Sequence, residues 1–183
     1  HGNFAPGFLN TIPNLTIAAP LDGLGLETVL HNAISGSGPW VIRYPKSECQ
    51  FLRNTLKVKL GKMRELKPGT KKAILSFGAI GVNVKEALSG TPYGHFDVTY
   101  LKPIDKEELS AIAAKFDEVI TVEENSARGG VGDAVRSVIS ELGLSPKVRS
   151  LALPDKFIEH GSIDELHQLC GLDAKSILKF IER

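Results

Sequence analysis

The feature that most constrains the fold is a regular alternation of apolar runs and helix-like segments from residue 71 onward. The apolar runs are 72–78, 96–101, 117–125 and 148–153, and the helix-like segments are 81–88, 105–116, 132–142, 162–170 and 173–183. Strands that alternate with helices predict an α/β layered sandwich, since each helix carries the chain back to start a parallel strand. Each of the four runs is expected to form one strand of a mostly parallel sheet.

Several of these helices begin with residues that can bind free backbone N–H groups. Asp105 and Asp173 are predicted N-caps, because a carboxylate there accepts hydrogen bonds from the first helical turn. Ser162 is followed three residues later by Glu165, and Asp105 by Glu108, which is the spacing of a capping box. These signals predict where three of the helices start.

The first part of the chain predicts one β-α-β unit. Apolar runs at 15–20 and 40–45 each close at a proline, and the segment between them has helical spacing with Asp22 as its N-cap. A helical crossover between two strands of one sheet implies that they are parallel. Residues 51–70 alternate apolar and basic side chains, and we interpret them as an extended linker that could include a short hairpin.

Composition excludes several classes of protein. The formal net charge is +1, from 22 basic and 21 acidic residues, which argues against a nucleic-acid-binding protein with a basic stripe. No apolar run approaches the roughly 18 residues of a membrane span. Cys49 and Cys170 are far apart and lack a metal-binding spacing, so we expect two reduced thiols in a cytoplasmic protein.

The stretch TVEENSARGGVGDAV, residues 121–135, contains what we call the glycine segment (residues 123–132). A strand-to-helix turn at the carboxyl edge of a parallel sheet is a common ligand site. However, the spacing matches neither a P-loop nor a dinucleotide-binding loop, and Glu123 and Glu124 would repel a phosphate. The alternative is a tight turn with positive φ at Gly129 or Gly130 and close packing at Gly132, or a contact with a partner domain.

Arg43 and Lys46 are the candidate binding residues of the first unit. They follow a predicted parallel strand, and a guanidinium with an ammonium suits a phosphate group. A solvated surface pair is an equally open interpretation. His95, His160 and His167 share no spacing that is typical of a metal site.

The chain also resembles a known family along nearly its whole length. The segments that carry the resemblance, in order, are IPNLTIAAPLD, GPWVIRYPK, AILSFGAI, VTYLKPID, VITVEENSARGGVGDAV and LALPDKFIEHG. They are similar to segments of the 1-deoxy-D-xylulose-5-phosphate synthases, within the transketolase-like, thiamine-diphosphate-dependent group. The combination is specific, whereas any one segment alone would be weak.

The resemblance implies a three-layer α/β sandwich like the transketolase C-terminal domain, preceded by part of another domain. Residues 1–50 would be the end of a pyrimidine-binding domain, 51–70 a linker, and 71–183 the C-terminal domain. The domain that binds thiamine diphosphate and Mg²⁺ would lie outside this sequence. The implied enzyme is a homodimer that condenses pyruvate with glyceraldehyde 3-phosphate, with loss of CO₂, for isoprenoid, thiamine and pyridoxal biosynthesis.

Three residues receive roles from the resemblance. Lys46 matches a basic residue that binds the acceptor's phosphate, where Arg is usual; Lys keeps the charge but lacks the two-pronged guanidinium. Arg43 belongs to the same phosphate-binding strand end. His1 would be a catalytic residue close to cofactor and substrate, and the polypeptide by itself is expected to be inactive.

Two alternatives accompany this interpretation. The chain could be a fragment of a transketolase or of a 2-oxoacid dehydrogenase β subunit, which carry similar strands. It could also be a non-catalytic oligomerisation module of the same fold. The pairing of VEEN…GGVGDAV with LPDKFIEHG favours the synthase.

Overall fold

The computed structural model describes residues 2–46 and 58–183 of the chain. Its strands are β1 (Thr16–Ala18), β2 (Trp40–Ile42), β3 (Arg64–Lys67), β4 (Lys72–Phe77), β5 (Gly94–Asp97), β6 (Tyr100–Lys102), β7 (Glu118–Ser126) and β8 (Lys147–Leu153). Its helices are α1 (Ala5–Leu9), α2 (Gly23–Ser35), α3 (Gly81–Ala87), α4 (Lys106–Lys115), α5 (Val131–Glu141), α6 (Ile163–Cys170) and α7 (Ala174–Glu182).

The described strands form two sheets. In the larger sheet the order is β3-β5-β4-β7-β8; all neighbours are parallel except the edge pair β3–β5. In the smaller sheet β1 pairs in parallel with β2, and β6 joins β1 from the other side in the antiparallel sense. The predicted mostly parallel α/β fold and the β-α-β unit are therefore confirmed.

Helices cover both faces of the larger sheet, which confirms the three-layer sandwich. On one face α4 and α5 bury side chains such as Leu109 and Val135 against the sheet. On the other face α3 and α7 bury Val84 and Ile177 against a second set of strand residues. The central strands β4, β5 and β7 are buried on both faces, as is usual for parallel sheets.

The predicted single strand 96–101 is wrong, because the chain changes sheets in its middle. β5 ends at Asp97 in the larger sheet, and β6 begins at Tyr100 in the smaller one. The Asp97 carboxylate accepts hydrogen bonds from the backbone N–H of Thr99 (3.1 Å) and from its hydroxyl (2.6 Å). These bonds hold Thr99 at a φ of 45°, a left-handed conformation that ends the strand.

The predicted helix starts are confirmed at their caps. The carboxylates of Asp22, Asp105 and Asp173 each accept a backbone N–H of the first turn. Ser162 and Glu165 form the complete capping box of α6. At α4 the backbone N–H of Glu108 donates to the side chain of Asp105. This hydrogen bond is one of the two that make up the predicted capping box.

The predicted linker, residues 51–70, includes a regular element. β3 lies within it and forms the antiparallel edge of the larger sheet. Residues 47–57 lie outside the described part of the chain, as do Cys49 and His1, so the domain boundaries stay predictions. Among the described residues, every helix is too short or too polar to cross a bilayer.

Candidate functional site

The glycine segment lies where β7 ends and α5 begins, at the carboxyl edge of the larger sheet. Its centre is occupied by the carboxylate of Glu123, which is fully buried. Oε2 accepts the backbone N–H of Val131 at 2.8 Å, and Oε1 accepts that of Gly132 at 2.9 Å. The side chain of Asn125 donates a third hydrogen bond at 3.0 Å. The N-terminus of α5 thus binds an anion that belongs to the protein itself.

This arrangement explains the glycines. Gly129 has a φ of +73°, which confirms the predicted tight turn. A Cβ on Gly130 would lie 2.3 Å from Glu123 Oε2, and one on Gly132 would lie 2.3 Å from Ser150 Oγ. Gly130 is therefore required by the carboxylate beside it, and Gly132 by close packing against β8. The segment is a structural turn, since the position that a phosphate would take is filled by Glu123.

Replacing Glu123 with Gln should lower the free energy of unfolding by about 2 kcal/mol. The amide keeps the shape of the side chain but turns charge-assisted hydrogen bonds into weaker ones, and its NH₂ group would face backbone donors. Burial is the largest influence on this group and raises the pKa of Glu123, against the hydrogen bonds from Asn125, Gly132 and Val131. Urea denaturation measures the change. Glu159→Gln, on an exposed loop, is the matched control, and equal stability of both variants would contradict the assignment.

The glycine segment also contacts the first part of the chain. A Cβ on Gly129 would lie 2.8 Å from the Cα of Gly7, and one on Gly7 would lie 3.2 Å from the carbonyl oxygen of Arg128. The backbone N–H of Ser126 donates to the carbonyl of Asn3 at 3.3 Å. The segment therefore packs against α1 and the residues that precede it.

The predicted phosphate pair is placed in two different environments. The guanidinium of Arg43 is partly buried, and its Nη2 donates to Asn3 Oδ1 at 3.2 Å and to the carbonyl oxygen of Glu124 at 3.3 Å. Lys46 is exposed, and within the described ranges no hydrogen bond or ion pair engages its ammonium. His1, the predicted catalytic residue, lies outside the described residues.

A polar cluster at the same edge was missed by sequence reasoning. The carboxylate of Glu124 is 2.8 Å from His167 Nε2, and His167 Nδ1 is 3.1 Å from the side-chain nitrogen of Asn83. Since the Asn83 nitrogen is a donor, Nδ1 accepts and the ring proton resides on Nε2, where it is donated to Glu124. Glu124 and His167 are separated by 43 residues, so no local motif could have paired them.

The electrostatics of this cluster favour the ionised carboxylate. Burial acts to raise the pKa of Glu124, but the hydrogen bond from His167 and the positive charge of Arg43 outweigh it and hold the pKa below its usual value. The side chain of Asn83 also donates to the carbonyl of Leu172 at 2.9 Å, just before α7. The cluster joins β7, α3 and α6 and holds a negative charge beside Arg43.

These residues do not fit a thiamine diphosphate or Mg²⁺ site. Within 2–46 and 58–183, no group of three or more His, Cys, Asp or Glu side chains is arranged to hold a metal ion. The helix N-terminus that could receive a diphosphate holds Glu123 instead.

Comparisons with known proteins agree with the fold. Residues 61–177 match the family described as the transketolase C-terminal domain. The 1-deoxy-D-xylulose-5-phosphate synthase of Parabacteroides distasonis is 42% identical over 100% of this chain and 30% of its own length. The same-named protein of Thermus thermophilus is 40% identical over 98% of this chain and 29% of its own length.

Solved structures give the same result. A split-gene transketolase, described as an inactive β4 tetramer, superposes with a TM-score of 0.85 at 26% identity over 96% of this chain and 58% of its own. A transketolase from Campylobacter jejuni has a TM-score of 0.70 at 14% identity, over 95% of this chain and 27% of its own, and supports the fold alone. This chain belongs to the transketolase C-terminal domain family and resembles, along its whole length, the carboxyl-terminal portion of the 1-deoxy-D-xylulose-5-phosphate synthases.

Proposed function

We propose that this chain is the carboxyl-terminal portion of a 1-deoxy-D-xylulose-5-phosphate synthase. The observation that carries the proposal is identity of 33–42% to proteins of that name across at least 98% of the chain. The chain spans 30% of the length of the first of these relatives, so the activity belongs to a longer assembly. In that assembly pyruvate and glyceraldehyde 3-phosphate would condense with loss of CO₂.

The structure favours a role for this portion in binding substrate and not in binding the cofactor. The N-terminus of α5 is occupied by Glu123 and those of α2, α4 and α7 by aspartate caps, and the described side chains do not form a metal site. Thiamine diphosphate, which would supply the carbanion chemistry, and Mg²⁺ would therefore be bound elsewhere in a cytoplasmic homodimer. This portion would contribute the phosphate-binding Lys46, the strand end that carries Arg43, and His1.

The test is product analysis with the complete enzyme. Incubation with pyruvate, glyceraldehyde 3-phosphate, thiamine diphosphate and Mg²⁺ should give a deoxyketose phosphate and CO₂, identified by mass spectrometry. A transketolase would instead transfer a two-carbon unit between sugar phosphates and would leave pyruvate unchanged. An enzyme that accepts only ketose phosphates as donors would overturn the proposal.

The 183-residue polypeptide alone should not decarboxylate pyruvate. The described residues form no cluster of three or more His, Cys, Asp or Glu side chains that could hold the metal ion, and Glu123 occupies the N-terminus of α5. Without the cofactor nothing accepts the electrons that the departing CO₂ leaves behind. Release of ¹⁴CO₂ from [1-¹⁴C]pyruvate measures the reaction. Turnover above that of a boiled sample would show that a cofactor site exists within this chain.

Lys46→Ala in the complete enzyme should raise the KM for glyceraldehyde 3-phosphate by about 10- to 100-fold and leave the KM for pyruvate nearly unchanged. A charged hydrogen bond to phosphate contributes about 1.5–3 kcal/mol, and 1.4 kcal/mol is tenfold in affinity. Steady-state kinetics with each substrate varied in turn gives both constants. Lys175→Ala, exposed on α7, is the control. Equal effects on the two substrates would show that Lys46 does not bind the phosphate.

A further inference from the structure

We propose that Arg43 is a positioning residue, which holds the chain segment around Asn3 against the carboxyl end of β7, and that Lys46 alone of the pair binds substrate phosphate. The expected effect on catalysis rests on the proposed function, because only the resemblance places His1, two residues before Asn3, at the active site. Its structural consequence, an ordered Gly2–Leu9 segment, can be tested independently of the reaction.

The guanidinium of Arg43 lies at a junction of several segments. The backbone N–H of Arg43 donates to the carbonyl of Ala18 at 2.8 Å, which continues the β1–β2 pairing and fixes the residue to the smaller sheet. A Cβ on Gly78, at the end of β4, would lie 3.7 Å from Arg43 Nη1. The side chain therefore reaches from the smaller sheet to the edge of the larger one.

One nitrogen of this guanidinium connects two parts of the protein. Nη2 donates both to the side-chain oxygen of Asn3 and to the carbonyl oxygen of Glu124. Both acceptors are uncharged groups of the protein, which is the pattern of an arginine with a structural role. Lys46, by contrast, is exposed on the following turn.

Asn3 is held from two sides. Its side chain accepts from Arg43, while its carbonyl accepts the backbone N–H of Ser126 at 3.3 Å. Beyond it, Gly7 and Gly129 approach so closely that a Cβ on Gly129 would lie 2.8 Å from the Gly7 Cα. The two hydrogen bonds and this contact together fix the position of the Gly2–Leu9 segment on the glycine segment.

The negative charge of Glu124 keeps the guanidinium in place. Its carboxylate accepts from His167 and is also attracted to Arg43. A lysine at position 43 would keep this attraction, but its single nitrogen lacks the planar arrangement of donors that a guanidinium offers. We therefore expect Arg43→Lys to retain part of the function and Arg43→Met to lose most of it.

The test measures hydrogen exchange and kinetics in the complete enzyme. Arg43→Met should increase the exchange rate of amides in the peptide covering residues 2–12 by tenfold or more, while peptides from α4 and α5 remain unchanged. Its kcat should fall by 10- to 100-fold, and its KM for glyceraldehyde 3-phosphate should change by less than threefold. Asn3→Ala should reproduce the increase in exchange, Arg43→Lys should give intermediate values, and Lys175→Met should resemble the wild type.

Two results would overturn the proposal. Unchanged exchange of residues 2–12 in both Arg43→Met and Asn3→Ala would show that the hydrogen bond does not position the segment. A tenfold or greater rise in the KM for the phosphorylated aldehyde at constant kcat would assign Arg43 to the substrate. If the enzyme makes no deoxyketose phosphate, the proposed function fails, while the exchange result still decides whether Arg43 orders the segment.

Discussion

Asp97→Ala is expected to lower the free energy of unfolding by about 3–5 kcal/mol, because it breaks a fully buried ion pair. Asp97 and Arg64 are 0% and 3% exposed. The Nε and Nη2 atoms of Arg64 donate to Asp97 Oδ2 at 2.9 and 2.6 Å. Removing the carboxylate leaves a buried guanidinium without this acceptor, and the cost of that desolvated charge exceeds the net value of the pair itself.

The same carboxylate has two further structural roles. It accepts both hydrogen bonds from Thr99, which turn the chain from the larger sheet into the smaller one. Arg64 also lies 3.9 Å from Asp22, whose other carboxylate oxygen caps α2 by accepting from Gly25 at 2.7 Å. The network thus joins the first helix-strand unit to the edge of the larger sheet, and its loss should loosen both.

Urea denaturation of the 183-residue chain provides the measurement. Glu141→Gln is the control, because its ion pair with Lys106 is exposed at both ends, and exposed pairs contribute little to stability. The double variant Arg64→Met/Asp97→Ala should be less destabilised than the sum of the single variants, since it removes both charges together. A midpoint for Asp97→Ala that matches the wild type would refute the role given to the pair.

The second large effect is a loss of stability between pH 6.5 and pH 3 that depends on His95. This side chain is 1% exposed on β5, and its Nε2 is 2.8 Å from Ser76 Oγ. Burial, together with the positive charges of Lys67 and Lys85, lowers the pKa of His95 to about 3. The imidazole of the folded protein is therefore neutral over most of this range and gains a proton only near pH 3.

The sign of the pH dependence follows from the difference between the pKa of His95 in the folded chain and its pKa in the unfolded chain. Below pH 6.5 the unfolded chain binds a proton at His95 that the folded chain does not, so acid favours unfolding. The stability is fully present above pH 6.5 and decreases by up to about 1.4 kcal/mol per pH unit as the pH falls. Most carboxylates contribute below pH 5, so the contribution of His95 is best measured between pH 6.5 and 5, as the difference between the wild type and a variant that lacks this side chain.

Urea midpoints at pH 7, 6.5, 6, 5.5 and 5 measure this slope. His95→Gln removes the titrating group and should show a flatter dependence over the interval, by about 2 kcal/mol in total. His31→Gln, on the exposed face of α2, should retain the wild-type slope. Identical slopes for His95→Gln and the wild type would show that His95 is not buried in its neutral form.

Local patterns determined much of this architecture. The alternation of apolar runs and helical segments predicted an α/β layered sandwich with a mostly parallel sheet, and single residues such as Asp22, Ser162 and Asp173 marked where helices begin. The glycine segment was recognised as a turn because its spacing and its two acidic residues did not suit a phosphate. These inferences succeed because periodicity and capping depend on residues only a few positions apart.

Contacts between distant residues decided the rest. The positions of strands and helices determine which carboxylate fills the N-terminus of α5. They also bring His167 to Glu124, 43 residues away in the chain. Asp97 pairs with Arg64, 33 residues away, and also accepts the hydrogen bonds of Thr99, where one predicted strand divides between two sheets. The sequence by itself determined the layers and most helix starts, because those preferences are local. Only the tertiary structure decided which charges are buried together, because strand register and sheet order bring them into contact.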